Sequence, residues 1–333
     1  MNRHLIASDR PIVSALEQLN NLSGETMNLF VVDGEGRLVG SLTDGDVRRA
    51  LLAGHGLREA VGNICNRRCL ALPGADIAEA RRRNVVLLPV LEDGKIVRLI
   101  DLRKQRGLIP ADGVLMAGGK GERLRPLTET TPKPLLPVAG RPIIDHNVEL
   151  MHEFGIENIF VTVNYLKEQL ISHFSGMPGV ECIAEPKRLG TIGSLALIDA
   201  LKAPEVVVMN ADLLTDINLE AMYLKHIETE AWLTMAVIPY TVSVPFAIVR
   251  PEGDAVKGLT EKPTYNYYAN AGIYIIRREA MKDITPGEYL DATDFVERLL
   301  EEGKRVSLFH LTGRWIDIGS PDDYRHACGI ERV

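Results

Sequence analysis

The sequence feature that most constrains the fold is a short apolar run followed at once by a glycine-rich turn. Residues 113–138 read GVLMAGGKGERLRPLTETTPKPLLPV. The run 114–116 predicts a buried strand, and glycines at 118, 119 and 121 allow backbone N–H groups to approach an anion closely. Cationic side chains follow in quick succession: Lys120, Arg123, Arg125, Lys133 and Arg141. A strand, an open backbone turn and clustered cations predict a binding site for a polyphosphate.

Two familiar phosphate-binding loops do not fit this stretch. A P-loop has Ser or Thr after its Gly-Lys pair, but Gly121 follows Lys120. A dinucleotide-binding fingerprint has a third glycine where this chain has Arg123 and Leu124. The stretch instead resembles the GGxGxRLxPLT and PKP signature of the sugar-1-phosphate nucleotidylyltransferases. An ordinary surface turn with solvated charges is the alternative.

This resemblance runs from residue 113 to the end of the chain. It implies an α/β fold, a Rossmann-like nucleotide-diphospho-sugar transferase domain with a mixed, mostly parallel sheet. The alternation of predicted strands and helices is typical of such a domain. Gly, Pro and charged residues cluster at 105–112, so we predict a catalytic domain at 112–333 after a smaller domain at 1–108. In the catalytic domain we predict helices at 143–154, 166–174, 193–201, 219–228, 294–302 and 321–327.

Composition indicates a soluble globular enzyme of the cytoplasm. Apolar residues make up 46% of the 333 residues and charged ones 25%. No apolar run approaches the ~20 residues of a membrane span, and the N-terminus lacks the apolar core of a signal peptide. The cysteines (Cys65, Cys69, Cys182 and Cys328) are expected to be reduced thiols, because their CxxxC pair is too small a set for a zinc site.

The net charge of −7 is unevenly distributed. Residues 1–110 carry 16 Lys and Arg against 13 Asp and Glu, a net charge of +3, and the remainder carries 22 against 32, a net charge of −10. An acidic domain that binds polyanions must concentrate its positive charge locally, and residues 120–141 do so. No basic face suited to nucleic acid is evident.

The first region contains an internal repeat. Residues 28–42 and 86–100 both read as strand, turn and strand, 58 positions apart, so that Gly36 falls on Gly94. Predicted helices at 11–22, 46–53 and 77–82 flank the two units. The pair resembles a tandem of cystathionine-β-synthase (CBS) domains, and together with the catalytic domain we expect a homo-oligomer.

The first unit carries the ligand signature of that family in residues 40–46. The resemblance assigns Thr43 to a phosphate and Asp46 to ribose hydroxyls, which implies an adenine nucleotide as the ligand. Asp101 and Lys104 stand at the matching positions of the second unit and depart from the signature. The alternative is a packing and dimerisation module in which Asp46 caps a helix.

The reaction implied for the catalytic domain is attack by a sugar 1-phosphate on the α-phosphorus of a nucleoside triphosphate. The resemblance assigns Arg123 to the triphosphate and Lys133 to the phosphates near the reacting centre. Asp212 and Asp317 resemble the family's metal-binding aspartates, and two carboxylates with phosphate oxygens and waters suit Mg²⁺. A helix cap for Asp212 and a turn role for Asp317 are the alternatives.

The same resemblance assigns residues to the two substrates. On the nucleotide side are Gly118, Gly119, Lys120, Gly121, Glu185, Gly190 and Thr191. On the sugar side are Glu261, Lys262, Asn270 and Gly272, with Lys262 on the sugar phosphate and also counted as catalytic.

Glu185 predicts the choice of base. An ionised carboxylate can only accept hydrogen bonds, and guanine presents N1–H and N2–H₂ side by side as two donors. Uracil and thymine present one N–H between two acceptors, so we favour GTP. Residues 189–193 also resemble the LGTAG of guanylyltransferases, with Ile192 in place of Ala. An ordinary loop glutamate is the alternative.

The sugar is inferred from the domain combination. A CBS pair ahead of such a transferase is similar to the glucosamine-1-phosphate guanylyltransferases, and mannose 1-phosphate is the competing acceptor. A non-catalytic regulatory subunit is a further alternative. Such a protein is expected to have lost part of the catalytic set, whereas Arg123, Lys133, Asp212, Lys262 and Asp317 are all present.

Overall fold

The structure is a computed structural model that describes residues 2–23, 26–73 and 77–329. The chain divides into two compact units, Met1–Arg106 and Gly107–Val333. Each unit has an apolar core of its own.

The first unit is built from two hairpins and short helices. Its helices are α1 (Ile12–Asn20), α2 (Asp44–Leu52) and α3 (Ile77–Arg82). Its strands are β1 (Leu5–Ala7), β2 (Asn28–Val32), β3 (Leu38–Thr43), β4 (Leu87–Glu92) and β5 (Lys95–Asp101). Strand β1 pairs in parallel with β2, whereas β2–β3 and β4–β5 are antiparallel hairpins.

The two hairpins have the same turn geometry. Gly36 and Gly94 have φ angles of 81° and 79°, a left-handed conformation that glycine adopts without steric cost. Phe30 of the first hairpin packs with Leu87 and Ile96 of the second. The units differ after their last strands, because helix α2 follows β3 whereas residues 102–104 after β5 form only a turn.

The second unit is built on a seven-stranded sheet. Its sheet order is β10-β9-β6-β11-β16-β13-β17, and β16 runs antiparallel to both of its neighbours while the other pairs are parallel. These strands are β6 (Ala111–Met116), β9 (Ile159–Val163), β10 (Val180–Ala184), β11 (Glu205–Asn210), β13 (Leu233–Ser243), β16 (Thr264–Arg277) and β17 (Val306–His310). The mixed, mostly parallel sheet predicted from the sequence is confirmed.

Short strand pairs and helices complete this unit. The outlying strands are β7 (Pro137–Val138), β8 (Arg141–Pro142), β12 (Leu213–Thr215), β14 (Ile248–Glu252), β15 (Ala255–Thr260) and β18 (Trp315–Asp317). The helices are α4 (Ile143–Glu153), α5 (Lys167–Phe174), α6 (Gly190–Gly193), α7 (Leu219–Glu228), α8 (Ala292–Glu301) and α9 (Pro321–Gly329).

Helices cover both faces of the central strands. Leu115 and Val207 pack on one face in a core with helices α4, α5 and α7, whereas Val114 and Val206 pack on the other with α8. Continuous apolar strands such as β11 are typical of a sheet that is buried on both sides. This arrangement leaves the ends of the strands as the place for a ligand.

Two sequence-based boundaries were too short. Strands β13 and β16 were predicted at 233–238 and 272–276, but they extend together as an antiparallel arm from Val237–Asn270 to Ser243–Thr264. Side chains along the arm are largely exposed. Its residues therefore lack the buried alternation on which strand prediction depends.

The helix predicted at 193–201 was wrong. The structure has the four-residue α6, then a single 3-10 turn at Ser194–Leu197, and the chain leaves helical geometry at Ile198. The cause is long-range hydrogen bonding. The N–H groups of Lys202 and Ala203 donate to buried Asp112 at 2.6 and 2.8 Å, which fixes the chain in an extended course there.

Candidate active site

The candidate site lies at the carboxyl ends of β6 and β11. These strands are parallel neighbours whose last residues, Met116 and Asn210, lie opposite each other. The glycine-rich turn follows β6 and Asp212 follows β11, so two segments about a hundred positions apart in the chain meet at one edge of the sheet. Open α/β sheets commonly bind ligands at this edge.

Two adjoining cavities open at this edge. The larger, of about 520 Å³, is lined by the turn and cationic residues: Gly119, Lys120, Gly121, Glu122, Arg123, Lys133 and Asp212, with Met116, Ala117, Leu124, Pro134, Arg188, Thr191 and Gly319. The smaller, of about 190 Å³, is lined by Gly118, Glu185, Gly190 and Asp291, with Met116, Gly119, Thr162, Arg188, Thr191, Asn210 and Asp212. The predicted nucleotide residues therefore surround one continuous cleft.

Arg123 is positioned against the backbone of Gly319. A Cβ atom on Gly319 would lie 2.9 Å from Nη2 of Arg123 and 3.2 Å from its Cζ. The absence of a side chain at 319 is therefore what allows the guanidinium to lie there. Gly319 was not among the residues selected from the sequence, because its role depends on an arginine almost two hundred positions earlier.

Gly121 adopts the left-handed conformation, with a φ angle of 62°. A Cβ atom there would approach Thr128 Cγ2 to 2.9 Å, and the Thr128 hydroxyl donates to the Gly121 carbonyl at 2.8 Å. Only glycine satisfies both the φ angle and the close packing without strain. The turn thus has a defined shape, with its backbone facing the cavity.

Lys133 lies between the two predicted metal-binding aspartates. Its side chain is buried, its Nζ contacts Asp212 Oδ2, and Asp317 Oδ1 is 3.8 Å away. Antiparallel pairing of β12 with β18 places Asp317 opposite Leu213 and so next to Asp212. The pKa of Asp317 is raised, mainly by burial and next by the charge of Asp212, while Lys133 and Arg123 oppose the shift.

These two carboxylates fit a hard divalent cation that takes part of its ligand shell from elsewhere. Within the described ranges, no group of three or more His, Cys, Asp or Glu side chains is arranged to hold a metal. Mg²⁺ typically uses one or two carboxylates and completes its shell with substrate phosphates and water. Asp212 and Asp317 supply that number of oxygen donors beside the cation-lined cavity.

Glu185 is buried at the inner end of the cleft. Its Oε2 accepts a hydrogen bond from the Leu189 N–H at 3.1 Å, and its Oε1 faces Gly118, where a Cβ atom would lie only 2.7 Å away. Burial raises the pKa of Glu185, whereas the Leu189 hydrogen bond and the charge of Arg188 lower it. The carboxyl group is thus held in place with one oxygen directed at the glycine turn.

The loop at 189–193 is fixed by a segment a hundred residues further along the chain. The Thr191 N–H donates to Asp291 Oδ1 at 3.2 Å, and the Thr191 hydroxyl accepts from the Ala292 N–H at 2.7 Å. Backbone bonds of Leu290 to Leu189 and Ile192, both 2.9 Å, add to this attachment. Asp291 lines the cavity, and the sequence analysis missed it because nothing local associates it with the loop.

The predicted sugar-side residues lie on β16 and the loop before it. Glu261 and exposed Lys262, which has a φ angle of 41°, lie between β15 and β16. Asn270 donates to the Tyr274 hydroxyl at 2.6 Å, and Gly272 lies against the side chain of Asn210. Among the described residues, none of these four lines either cavity. Gly272 comes nearest through Asn210, which does.

In the first unit, Asp46 caps helix α2. Its Oδ2 accepts from the Thr43 N–H at 2.8 Å and from the Thr43 hydroxyl at 2.6 Å, and Arg49 binds Oδ1 at 2.7 Å. Although burial opposes the shift, these hydrogen bonds lower the pKa of Asp46. Thr43 also lines a cavity of about 450 Å³ whose described lining does not include Asp46.

Comparison with known proteins agrees with the geometry. A family model described as "Nucleotidyl transferase" matches residues 112–330, and one described as "CBS domain" matches residues 2–53. The chain belongs to the nucleotidyl transferase family. The sequence-based recognition of such a domain preceded by a CBS region is confirmed, and the CBS match ends at Ala53, before the second repeat.

Curated relatives share this domain. The chain is 32% identical over 227 residues to the bifunctional protein GlmU of Methanocaldococcus jannaschii, which covers 65% of this chain and 53% of that protein. It is 31% identical over 228 residues to a protein named probable mannose-1-phosphate guanylyltransferase 2 from Arabidopsis thaliana, 63% of this chain and 62% of that one. The chain thus spans about half the length of the GlmU relatives it matches.

Solved structures share the fold of the transferase domain. HddC from Yersinia pseudotuberculosis superposes with a TM-score of 0.53 at 23% identity, over 67% of this chain and 100% of that one. A structure of HddC complexed with GMP-PN gives a TM-score of 0.52 at 22% identity, over the same shares. Within the described part of the chain, no helix is both long and apolar enough to cross a bilayer.

Proposed function

We propose that this protein transfers a nucleoside monophosphate from a nucleoside triphosphate to a sugar 1-phosphate and releases pyrophosphate. GTP is the favoured donor and glucosamine 1-phosphate the favoured acceptor. The observation that supports this most directly is the convergence of the glycine turn, Arg123 and Lys133 on Asp212 around one cleft. Fixed cations around an open backbone turn are what a polyanionic substrate requires.

The chemical step needs positioning and charge stabilisation more than a base. A phosphate monoester has a second pKa of ~6, so the attacking oxygen of a sugar 1-phosphate is largely ionised at pH 7. The obstacle is repulsion between two anions and the charge that develops at the α-phosphate. Arg123 can bind two phosphate oxygens at once, and Lys133 supplies a buried positive charge beside the reacting centre.

Mg²⁺ is the metal that this site favours. Asp212 and Asp317 would hold the ion, which would neutralise phosphate oxygens and orient the triphosphate for in-line attack. Lys262 is proposed to bind the sugar phosphate, and Glu261, Asn270 and the Gly272 backbone to bind sugar hydroxyls. Lys262 lies on an exposed loop, where a long side chain is free to reach a substrate.

Three features favour guanine. Glu185 presents a buried carboxylate with one oxygen open to the smaller cavity, which suits the adjacent N1–H and N2–H₂ donors of guanine. The loop at 189–193 resembles the LGTAG of guanylyltransferases. In addition, one curated relative carries a guanylyltransferase name.

Pyrophosphate release tests the reaction and both substrates at once. GTP, UTP, dTTP, ATP and CTP are each combined with glucosamine 1-phosphate, mannose 1-phosphate and glucose 1-phosphate, with Mg²⁺ or with excess chelator. We expect turnover with GTP and glucosamine 1-phosphate that is lost on chelation. Asp212→Asn is the inactive control, since it preserves size but removes a ligand charge. Turnover with a different pair would correct the specificity, and no turnover with any pair would support the regulatory subunit.

We propose in addition that the first unit binds an adenine nucleotide. The cavity of about 450 Å³ is lined by Thr43 and Ser41 with polar and cationic side chains, including Asn66, Arg68 and Arg83. Arginines with hydroxyl and amide groups are suited to a phosphate and a ribose. Because Asp46 is engaged in capping α2, the ribose role predicted for it is transferred to the amides that line the cavity.

Calorimetry with AMP, ATP and GTP tests this binding in the intact protein. We expect heat with an adenine nucleotide that Arg68→Ala diminishes, and an unchanged isotherm for Arg58→Ala, whose residue does not line the cavity. The absence of heat with all three nucleotides would leave the packing and dimerisation module as the role of this unit.

A further inference from the structure

Arg188 occupies a position in the cleft that neither the motifs nor the comparisons assign. It precedes the loop at 189–193 and is exposed, and its guanidinium carbon lies 6.0 Å from the ring centroid of Tyr289. A guanidinium at this distance over an aromatic face is weakly held by a cation–π interaction. The side chain therefore has a defined resting place from which it can turn toward a ligand.

Arg188 lines both cavities. Five described residues are common to the two, namely Met116, Gly119, Arg188, Thr191 and Asp212, and Arg188 is the one cation among them. Lys120, Arg123 and Lys133 line the larger cavity alone. Arg188 thus lies where the base end of the cleft meets the phosphate end.

Tyr289 is held in register with the loop that carries Arg188. Its hydroxyl donates to Asp291 Oδ2 at 2.7 Å, and Oδ1 of the same carboxylate accepts from the Thr191 N–H. The ring is therefore anchored to the same acid that fixes the nucleotide loop. Arg188 also faces the carboxylate of Glu185, whose pKa it lowers against the larger effect of burial.

We propose that Arg188 is a nucleotide-binding residue that contacts the donor where its base and ribose join the phosphates, with Tyr289 as its positioning residue. The inference rests on the proposed function, since it assumes that a nucleoside triphosphate occupies both cavities. A planar guanidinium can bind a phosphate oxygen while it stacks on an aromatic ring, which an ammonium cannot do. The same charge would keep Glu185 ionised for a guanine base.

The test measures binding of a non-hydrolysable GTP analogue directly, without sugar phosphate. For Arg188→Ala we expect the Kd to rise about tenfold or more, as for loss of a charge-assisted hydrogen bond. Arg188→Lys should recover only part of the affinity. Lys187→Ala is the matched control, because Lys187 is the adjacent, equally exposed cation and lines neither cavity.

Tyr289 is tested by the conservative variant. Tyr289→Ala should raise the Kd for the analogue several-fold and leave the KM for the sugar phosphate unchanged, whereas Tyr289→Phe, which keeps the ring, should restore most of the affinity. A purely structural role would shift the thermal midpoint and both substrate constants together. Arg188→Gln is examined beside Arg188→Ala so that a folding defect in one variant does not decide the result.

The outcomes separate this inference from the proposed function. If Arg188→Ala and Arg188→Gln bind the analogue within twofold of Lys187→Ala, the inference is overturned even where the wild type turns over. If the wild type binds GTP but fails to form product with any sugar phosphate, the proposed reaction fails, while a large effect at Arg188 still supports its role in nucleotide binding.

Discussion

At the residue scale, the cleft depends on side chains held by neighbours that do not themselves react. Gly319 is the clearest case, because its missing Cβ leaves room for the guanidinium of Arg123. The obstructed group would be the far end of a flexible side chain and not the backbone. A side chain at 319 should therefore move Arg123 without unfolding the domain.

Gly319→Ala is expected to lower kcat/KM for the nucleoside triphosphate by about tenfold or more, the size of one lost charge-assisted contact. The thermal midpoint should change little. Steady-state kinetics and a melting curve measure the two effects. In an Arg123→Ala background the substitution should cost almost nothing, because the group it displaces is gone. An equal loss in both backgrounds would contradict the interpretation.

Lys133 is the second residue whose surroundings predict behaviour. Its ammonium lies against Asp212 and near Asp317, the positions at which a divalent cation would compete with it. The apo protein is therefore expected to bind the cation weakly. A triphosphate that draws Lys133 away would then favour metal binding.

Lys133→Met should raise the affinity for Mn²⁺ in the absence of nucleotide by about tenfold or more, since two neighbouring carboxylates lose their counter-charge. Electron paramagnetic resonance of free Mn²⁺ measures this without activity. Lys120→Met is the control, because Lys120 is exposed and lies 3.9 Å from Glu122 instead. Unchanged or weaker Mn²⁺ binding by Lys133→Met would show that the lysine does not compete with the metal.

At the element scale, helix α2 shows how one motif can serve structure and a ligand signature together. Thr43 and Asp46 form a reciprocal capping box at its first turn. Such caps satisfy backbone N–H groups that have no partner within the helix. The same hydrogen bonds hold the pKa of Asp46 below its ordinary value of 3.8 against the effect of burial.

Asp46→Ala should lower the free energy of unfolding by about 1 kcal/mol at pH 7. Because the folded-state pKa is lowered, the contribution of Asp46 is fully present above pH 3.8 and disappears as the pH falls through the folded value. Urea titrations at pH 7 and at pH 3 or below measure this convergence of wild type and variant.

Asp44→Ala is the control for that experiment. Asp44 also lies in the first turn, but its carboxylate pairs with Arg48 and takes no part in the capping box. Its removal should cost less, as exposed ion pairs contribute little. Equal losses for the two variants would argue against the cap.

At the scale of the whole molecule, each compact unit has a core and a cavity of its own. The proposed ligands of the two cavities differ in base and in the phosphates they present. Ligand-specific protection from hydrogen exchange is the expected consequence, because a bound ligand suppresses local opening of the segments that line its site.

A GTP analogue with Mg²⁺ should protect peptides that cover 116–124 and 185–193, and AMP should protect peptides that cover 26–43 and 66–70. Exchange measured by mass spectrometry on the full chain tests both. Asp212→Asn should diminish the first pattern and leave the second unchanged. Protection of one set by the other ligand would show that the assignment of ligands to cavities is wrong.

Local chemistry determined much of this from the sequence alone. Glycines at 118, 119 and 121 next to a buried strand predicted the open turn, because the residues involved are adjacent in the chain. The strand–helix alternation predicted the parallel sheet. Since parallel strands end at a common edge, the carboxylate after β11 was expected in the same region as the turn.

Tertiary structure alone decided the contacts between distant segments. The pairing of Lys133 with a carboxylate 79 positions away, the fit of Arg123 over Gly319, and the hold of Asp291 on a loop 100 positions earlier have no local signature. Backbone propensity depends on near neighbours, whereas these contacts arise only once sheet order brings strand ends together. For the same reason the helix predicted at 193–201 gave way to hydrogen bonds with Asp112, and the exposed arm of β13 and β16 went unpredicted.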